Sequence, residues 1–468
     1  MRKTFLLIFA AIGLLSCAKE AITPKDEAPE GVPMSFDISV VETKADKTGW
    51  ADGDKIFVFF NGLATKYLVL GYDGTEWSST SGGGTLLDSD FSGLGTLTLT
   101  AVHFPVAVNV SYADSKFSFT SGGKPVYNYY LSDADNAYTV DGTTVSASIS
   151  LEKPANFVQL HIAGIQATVA SYTLGCAQIR PVACKSVGLD GTLTEEVLQA
   201  GARLSGFADS DGAVFAGRLN NPSATNYSFS LATDEKIYTL TRTSELTAGT
   251  MYNFPVLSNG RWSVQNASDL YVDLGLSVKW AKYNVGASNP QDFGRYYAWG
   301  ELQPVKHYDW SSYQFGDQNN LNKYTGSDYS VLQREDDTAY AALGGKFRMP
   351  TYNEWQELRT TQNNANYTWT WCDGINTKYN NSNKTGWKVV YKPNSNTLFL
   401  PAAGLIMLGT QVPSMADFVT YYGYYWSSTH NTTSPSLAKG LFFTTGLHFI
   451  DPQYDRIVQL SIRPVYAN

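Results

Sequence analysis

Few residues able to do acid, base, nucleophilic or metal chemistry stand at useful spacings in this sequence. Glu354 and Glu357 lie three apart in LGGKFRMPTYNEWQELRT, residues 343 to 360, which stacks both carboxylates along one side of a helix. Glycoside hydrolysis needs two carboxylates that face each other across a substrate instead. Asp336-Asp337 and Asp451-Asp455 offer oxygens for calcium, but no EF-type loop surrounds them. His307, His430 and His448 are scattered and form no short-spaced ligand pair. Cys372, between Trp371 and Asp373, has no neighbouring thiol and reads as a small apolar filler. The run SGGG at 81 to 84 lacks the Lys-Ser/Thr and the helix of a phosphate loop. These patterns point away from an enzyme and call for no cofactor and no metal.

The same stretch reads more fully as structure. Thr351 can cap a helix and Glu354 can bond back to it, the reciprocal pattern of a capping box. Pro350 and Trp355 occupy the positions of a hydrophobic staple, and Trp355 and Leu358 share a face. The spacing predicts a helix over 352–360. Another helix is expected over 336–343, DDTAYAAL, ended by Gly344-Gly345. Arg348 and Arg463 are candidates for buried ion pairs joining the motif to the last strand, with Glu354 or Glu301 as the acid. Trp299 and Trp426 read as core. Trp369 and Trp371 alternate across one residue, so in a strand they face one side, as core or as a platform for a sugar ring. Tyr421, Tyr422 and Tyr424 are further candidates, with Asp373 and Asn376 able to bond hydroxyls.

The first residues address the compartment. MRKTFLLIFAAIGLLSC combines Arg2 and Lys3 with an apolar run too short to span a membrane. Leu14-Leu15-Ser16-Cys17 resembles the lipobox of bacterial lipoproteins, which implies a signal peptide over 1–17 and lipid on Cys17. Residues 18–34 form a polar, proline-containing tether. The formal net charge is −8, only 16% of residues are charged, and 30 Tyr and 11 Trp contribute to a sheet-rich composition. No Lys/Arg cluster could follow a phosphate backbone, which excludes nucleic acid. Besides Cys17, the thiols are Cys176, Cys184 and Cys372. Cys176 and Cys184 are near enough in sequence to bridge or to stay free, and an odd thiol remains either way.

From 35 to 260 the chain alternates short strands and turn signals, including DKIFVFF, TKYLVLGYDG, GLGTLTLTAVHFP, AVFAGRL and NYSFSLAT. Two β-sandwich units are expected in series, over 35–165 and 166–260. With the lipobox, VETKADKTGW, ADGDKIFVFF and the closing LTAGTMYNF, this half resembles the fimbrillins of Bacteroidales. The resemblance implies export to the outer surface as a lipoprotein, removal of an N-terminal segment, and filling of the exposed groove by a partner's strand. Lys44 or Lys47 stands where that family has Arg at the processing site.

Residues 266–468 change character, with many Trp, Tyr, Asn and Gly. DLGLSVKWAKYNVGA, GRYYAWGE, GGKFRMPTYNEWQEL, LFLPAAG, YYWSST and SIRPV together resemble the Fibrobacter succinogenes major paralogous domain. That group shares a C-type-lectin-like fold with formylglycine-generating enzymes, whose copper-holding cysteine pair is missing here. The resemblances imply a mainly β protein: two fimbrillin-like sandwiches, then an α+β C-type-lectin-like domain. The expected function is a lipid-anchored outer-membrane fimbrial tip or accessory subunit acting as an adhesin. Its implied partners are other pilus subunits through strand addition and a glycan or host surface protein. Membrane contact would be through the lipid alone. The alternatives are a surface glycan-active or modifying enzyme and a fimbrial cap that binds nothing.

Cys17→Ala should abolish incorporation of an alkyne fatty acid during growth and leave uncleaved or released protein. Equal labelling of the variant would overturn the anchor assignment.

Overall fold

The computed structural model describes residues 31–41, 50–133, 136–165, 172–209, 211–254, 261–304, 309–407, 421–446 and 452–468. Cys17, the tether up to residue 30, Lys44, Lys47, His307, His448 and Asp451 lie outside the described residues. The described chain is mainly β, with short helices α1 (Asp88–Phe91), α2 (Thr338–Leu343) and α3 (Tyr352–Thr360). None of the described helices is long and apolar enough to cross a membrane.

The strand Lys55–Phe60, KIFVFF, organises the first region. Apolar side chains on both faces of a strand demand cover on both. Ile56, Val58 and Phe60 enter a core with Leu99, Val145 and Ile149, while Phe57 and Phe59 enter another with Phe117, Phe119 and Cys184. The strand lies in an eight-stranded sheet between Tyr67–Tyr72 and Thr98–His103. A four-stranded sheet of Asn109–Ala113, Lys116–Thr120, Val182–Gly188 and Leu193–Val197 supplies side chains to the core that Phe57 and Phe59 enter. At one end of the eight-stranded order, Ser35–Val41 runs parallel to Thr144–Glu152, in register from Ser35 opposite Thr144 to Val41 opposite Ser150.

Strand pairing does not follow a cut at 165/166. Phe157–Ala163 pairs with Gly212–Leu219 and Met251–Asn253, which places it in the second region's sheets. The hairpin at 182–197 returns to the first region, pairing with Lys116–Thr120. Alternation determines which face of a strand is buried, but not which strand lies beside it. The second region buries Val158, Leu160 and Ile162 against Leu174, Phe229 and Leu231. Cys176 belongs to this core and Cys184 to the first, and both are free thiols. The candidate bridge between them is therefore not formed, because the chain sends the two side chains into different cores.

The third region continues directly from the second. Ser263–Asn266 pairs with Lys236–Arg242, and Ala232 and Ile237 share a small core with Ala267, Ala281 and Phe347. Beyond it lie a six-stranded sheet containing Gly423–His430 and Leu437–Phe443, a three-stranded meander of Tyr367–Cys372, Gly386–Tyr391 and Asn396–Pro401, and a small sheet that joins Lys279–Ala281 to Val465–Tyr466. Helix α3 spans the residues its capping pattern predicts. Helix α2 starts at Thr338, later than 336, because Asp337 is its cap and accepts from the Tyr340 N–H.

Burial raises the pKa of all three described thiols, with Cys176 pushed up to about 11. Native protein should therefore resist iodoacetamide at these positions and react only when unfolded, and reductant should leave its melting temperature unchanged. A fall in melting temperature with reductant would reveal a structural disulfide.

Candidate functional site

The motif at 344–358 is a bonded knot built around α3. The Thr351 hydroxyl accepts from the Glu354 N–H at 3.3 Å, and Glu354 Oε2 accepts from the Thr351 N–H at 2.7 Å. Arg348 then donates to both Glu354 oxygens, at 2.8 and 2.5 Å. Such a fork-on-carboxylate pair fixes geometry as well as charge. Burial opposes the Glu354 carboxylate, but the Arg348 bonds and charge and the Thr351 bonds prevail and hold its pKa below the usual 4.5. Asp337, ahead of the motif, accepts from the Tyr340 N–H at 3.0 Å and from the Met349 N–H at 2.8 and 3.1 Å. Burial outweighs these bonds and pushes its carboxyl up to about 6. Glu357 turns away and accepts from the backbone N–H and hydroxyl of Ser277. Glu354 and Glu357 thus serve separate structural contacts and do not converge on one cleft.

Arg463 departs from the expected ion pair. It is fully buried and donates to Asn284 Oδ1 at 2.7 Å and to the carbonyls of Ala281, Lys282 and Phe399 at 3.0, 2.7 and 2.9 Å. Three backbone carbonyls and one side-chain amide supply neutral acceptors without adding the cost of a second buried charge. Burial holds its pKa below the usual value for arginine. Trp355, Trp299 and Trp426 are buried, as their core reading requires. Asp336 accepts from Lys323 Nζ at 2.6 Å, Tyr324 Oη at 2.7 Å and Gln199 Nε2 at 3.0 Å. With Asp337 bound to backbone N–H groups, this pair is committed to structure, and no group of three or more metal-type ligands occurs among the described residues.

Sequence reasoning missed Arg456 and Arg203. Arg456 is fully buried, with its guanidinium 4.7 Å from the Trp299 ring and a bond to the Tyr324 carbonyl at 2.6 Å. Arg203, in the second region, donates to the Ala341 carbonyl of α2 at 3.1 Å. Neither has a sequence signal, because their partners are carbonyls and rings brought in from distant positions.

The candidate ligand residues do not form one surface. Trp369 and Trp371 share a strand face, as their spacing predicts, but both are half-buried and edge onto Trp387, with centroids 6.0 and 5.3 Å away. Trp371 also meets Phe443, and the Trp369 indole donates to Thr361 Oγ1 at 3.0 Å. Asp373 closes its own loop, accepting from the Ile375 and Thr377 N–H groups and from the Asn376 amide. Tyr424 lies in Gly423–His430, a strand of the six-stranded sheet, beside Phe442 at 4.9 Å and Tyr454 at 5.8 Å. Tyr425 and Phe443, alternating with Tyr424 and Phe442, belong to the core that Trp369 and Trp371 pack against. Alternation therefore puts the tryptophans and the Tyr424 group on opposite faces of the 423–443 hairpin. Tyr422 stacks on Phe442 at 6.0 Å, and Tyr421 and Tyr422 are 55% and 37% exposed, enough to offer ring faces to a ligand.

No family model matches the sequence, and no curated protein matches it. Among solved structures, a fimbrial protein from Bacteroides ovatus overlaps 94% of this chain and 100% of its own, at 12% identity and a TM-score of 0.23. A candidate cell adhesion protein from Bacteroides uniformis overlaps 50% of this chain and 97% of its own, at 15% identity and a TM-score of 0.28. The fimbrial anchor protein Mfa2 from Porphyromonas gingivalis overlaps 43% of this chain and 78% of its own, at 12% identity and a TM-score of 0.22. Scores this low carry no functional inference.

The depressed pKa of Glu354 has a pH consequence. The unfolded carboxyl binds a proton first as pH falls, so the stabilisation by Arg348 is complete above the ordinary value of 4.5 and is lost as pH drops through the lower folded value. Glu354→Gln should lower stability at neutral pH and flatten the acid limb of the stability profile measured by urea unfolding. An unchanged acid limb would overturn this coupling.

Proposed function

We propose that this chain is a cell-surface fimbrial subunit, lipid-anchored to the outer membrane through Cys17, that joins neighbouring subunits by strand addition and displays its third region for adhesion. The observation that carries the reading is the placement of Ser35–Val41. This first strand pairs with Thr144–Glu152, and its Phe36, Ile38 and Val40 are partly buried against the first core. Displacing it from its pairing, with the chain uncut and Cys17 still attached, would leave an unpaired strand edge above an apolar slot, and an incoming strand satisfies both at once. That geometry suits the assembly mode implied by the fimbrillin resemblance.

The third region follows the two strand-rich regions in the chain, the order suited to a tip or accessory subunit with a distal, lectin-like binding domain. Within it, Tyr421 and Tyr422, extended by Phe442, Tyr424 and Tyr454, offer an aromatic strip with little charge. A glycan or host surface protein would be held there by stacking and hydrogen bonds. Trp371, packed between Trp387 and Phe443, serves mainly the core in this reading. Glu354, folded back on its own helix start, counts against the enzyme alternative.

Immunogold labelling should place the protein on the cell surface and at fibre tips. Uniform decoration of the fibres would overturn the tip position, and an exclusively periplasmic pool would overturn the whole placement. On a glycan or host-cell array, Tyr422→Ala should weaken binding by roughly 1–3 kcal/mol, about ten- to a hundredfold, with an unchanged melt. Trp371→Ala should instead lower the melting temperature. Loss of binding only with Trp371→Ala, without a change in melting, would move the platform to the tryptophans.

A further inference from the structure

The junction of the second and third regions holds a cleft of about 610 Å³, lined by Thr173 and Asp234 on one side and by Arg334, Tyr340, Lys346 and Phe347 on the other. Three cations gather around it with no carboxylate partner among the described residues. Arg334 donates to the Gly345 carbonyl at 2.7 Å, and its guanidinium lies 4.2 Å from the Tyr340 ring centroid. Lys346 is exposed, and its ammonium is in no hydrogen bond or ion pair among the described residues. Arg203 stands behind the wall, 7% exposed, and donates only to neutral acceptors: Thr173 Oγ1 and the carbonyls of Thr173, Ser230 and Ala341. Burial, opposed by Tyr340 and reinforced by the charge of Arg334, lowers the Arg203 pKa to about 10, so it stays charged at neutral pH.

The nearby countercharges are limited. Arg348 also lines the cleft, but Glu354 neutralises it. Asp337 is held by the N–H groups of Tyr340 and Met349, which leaves Asp234 as the exposed acid of the lining. Like charges along a low-dielectric concavity raise its potential and favour an anion there. Asp234 and the Thr173 hydroxyl add acceptors beside the cations. A bare sulfate or phosphate would meet repulsion from Asp234, whereas a ligand with hydroxyl donors next to one negative group uses both. The volume lies within the range of roughly 300–1,000 Å³ that suits small ligands.

We propose that this cleft binds an acidic sugar, with Arg334 and Lys346 holding its carboxylate and Asp234 and Thr173 accepting from its hydroxyls. The site is separate from the aromatic strip and stands whether or not that strip binds a ligand. The test is an NMR titration of the full chain with glucuronic acid and N-acetylneuraminic acid, against glucose, N-acetylglucosamine and inorganic sulfate. At least one acidic sugar should bind saturably, more tightly than every neutral sugar and than sulfate, and less tightly at high salt. Arg334→Gln combined with Lys346→Gln should weaken that binding about tenfold or more without lowering the melting temperature, since both side chains are exposed. Tyr422→Ala should leave it unchanged. Absence of acidic-sugar binding, equal binding of neutral sugars or sulfate, or full binding by the double variant would overturn the proposal.

Discussion

Buried indoles must find acceptors for their N–H groups, and that requirement ties the third region together. Trp355 donates to the Trp426 carbonyl at 3.2 Å, Trp299 to the Ser427 carbonyl at 2.8 Å, and Trp426 to the Tyr297 carbonyl at 2.9 Å. The ladder between 423–430 and 437–443 shifts register between Trp426 and His430, where two of these carbonyls lie. Side chains from α3 and from the 296–299 segment thus bond to the central strand where its pairing is irregular. A lost indole would remove apolar contact and also leave a buried carbonyl without its donor. Trp280, its ring tilted 46° to that of Trp355 at 4.5 Å, is the exception, with no acceptor for its N–H among the described residues.

Around that frame, buried arginines work as many-armed donors instead of as ion-pair partners. Arg463 draws together Ala281, Lys282, Asn284 and Phe399, and Arg203 links Thr173 and Ser230 to the end of α2. Gly344 ends α2 at a φ of 70°, and a Cβ there would lie 2.8 Å from the Arg203 guanidinium. The missing side chain is what admits the cation. Arg348, by contrast, takes a carboxylate, and its partner Glu354 lies six residues away in sequence.

That difference in range explains what could be read from the sequence. Helix α3 was legible because Thr351, Glu354 and Trp355 carry its start signals within five positions. The mainly β character followed from composition and pattern, and DKIFVFF was legible as a strand. The exchange of 157–163 and 182–197 between regions was hidden, since either strand could bury the same face beside another neighbour. The candidate binding residues lie on different faces for a similar reason. Spacing placed Trp369 with Trp371 correctly, but it could not show that Tyr424 faces the other side of a hairpin.

The parallel pairing of Ser35–Val41 with Thr144–Glu152 also has a mechanical side. A pull directed along the strand axis loads this ladder in shear. Its slanted bonds share the load, whereas a hairpin pulled from its open end breaks them one after another. Rupture under force is governed by an unfolding rate, not by equilibrium stability. The seven paired residues therefore form a clamp whose strength depends on the direction of pull, strong along the strand and weak when peeled from Val41.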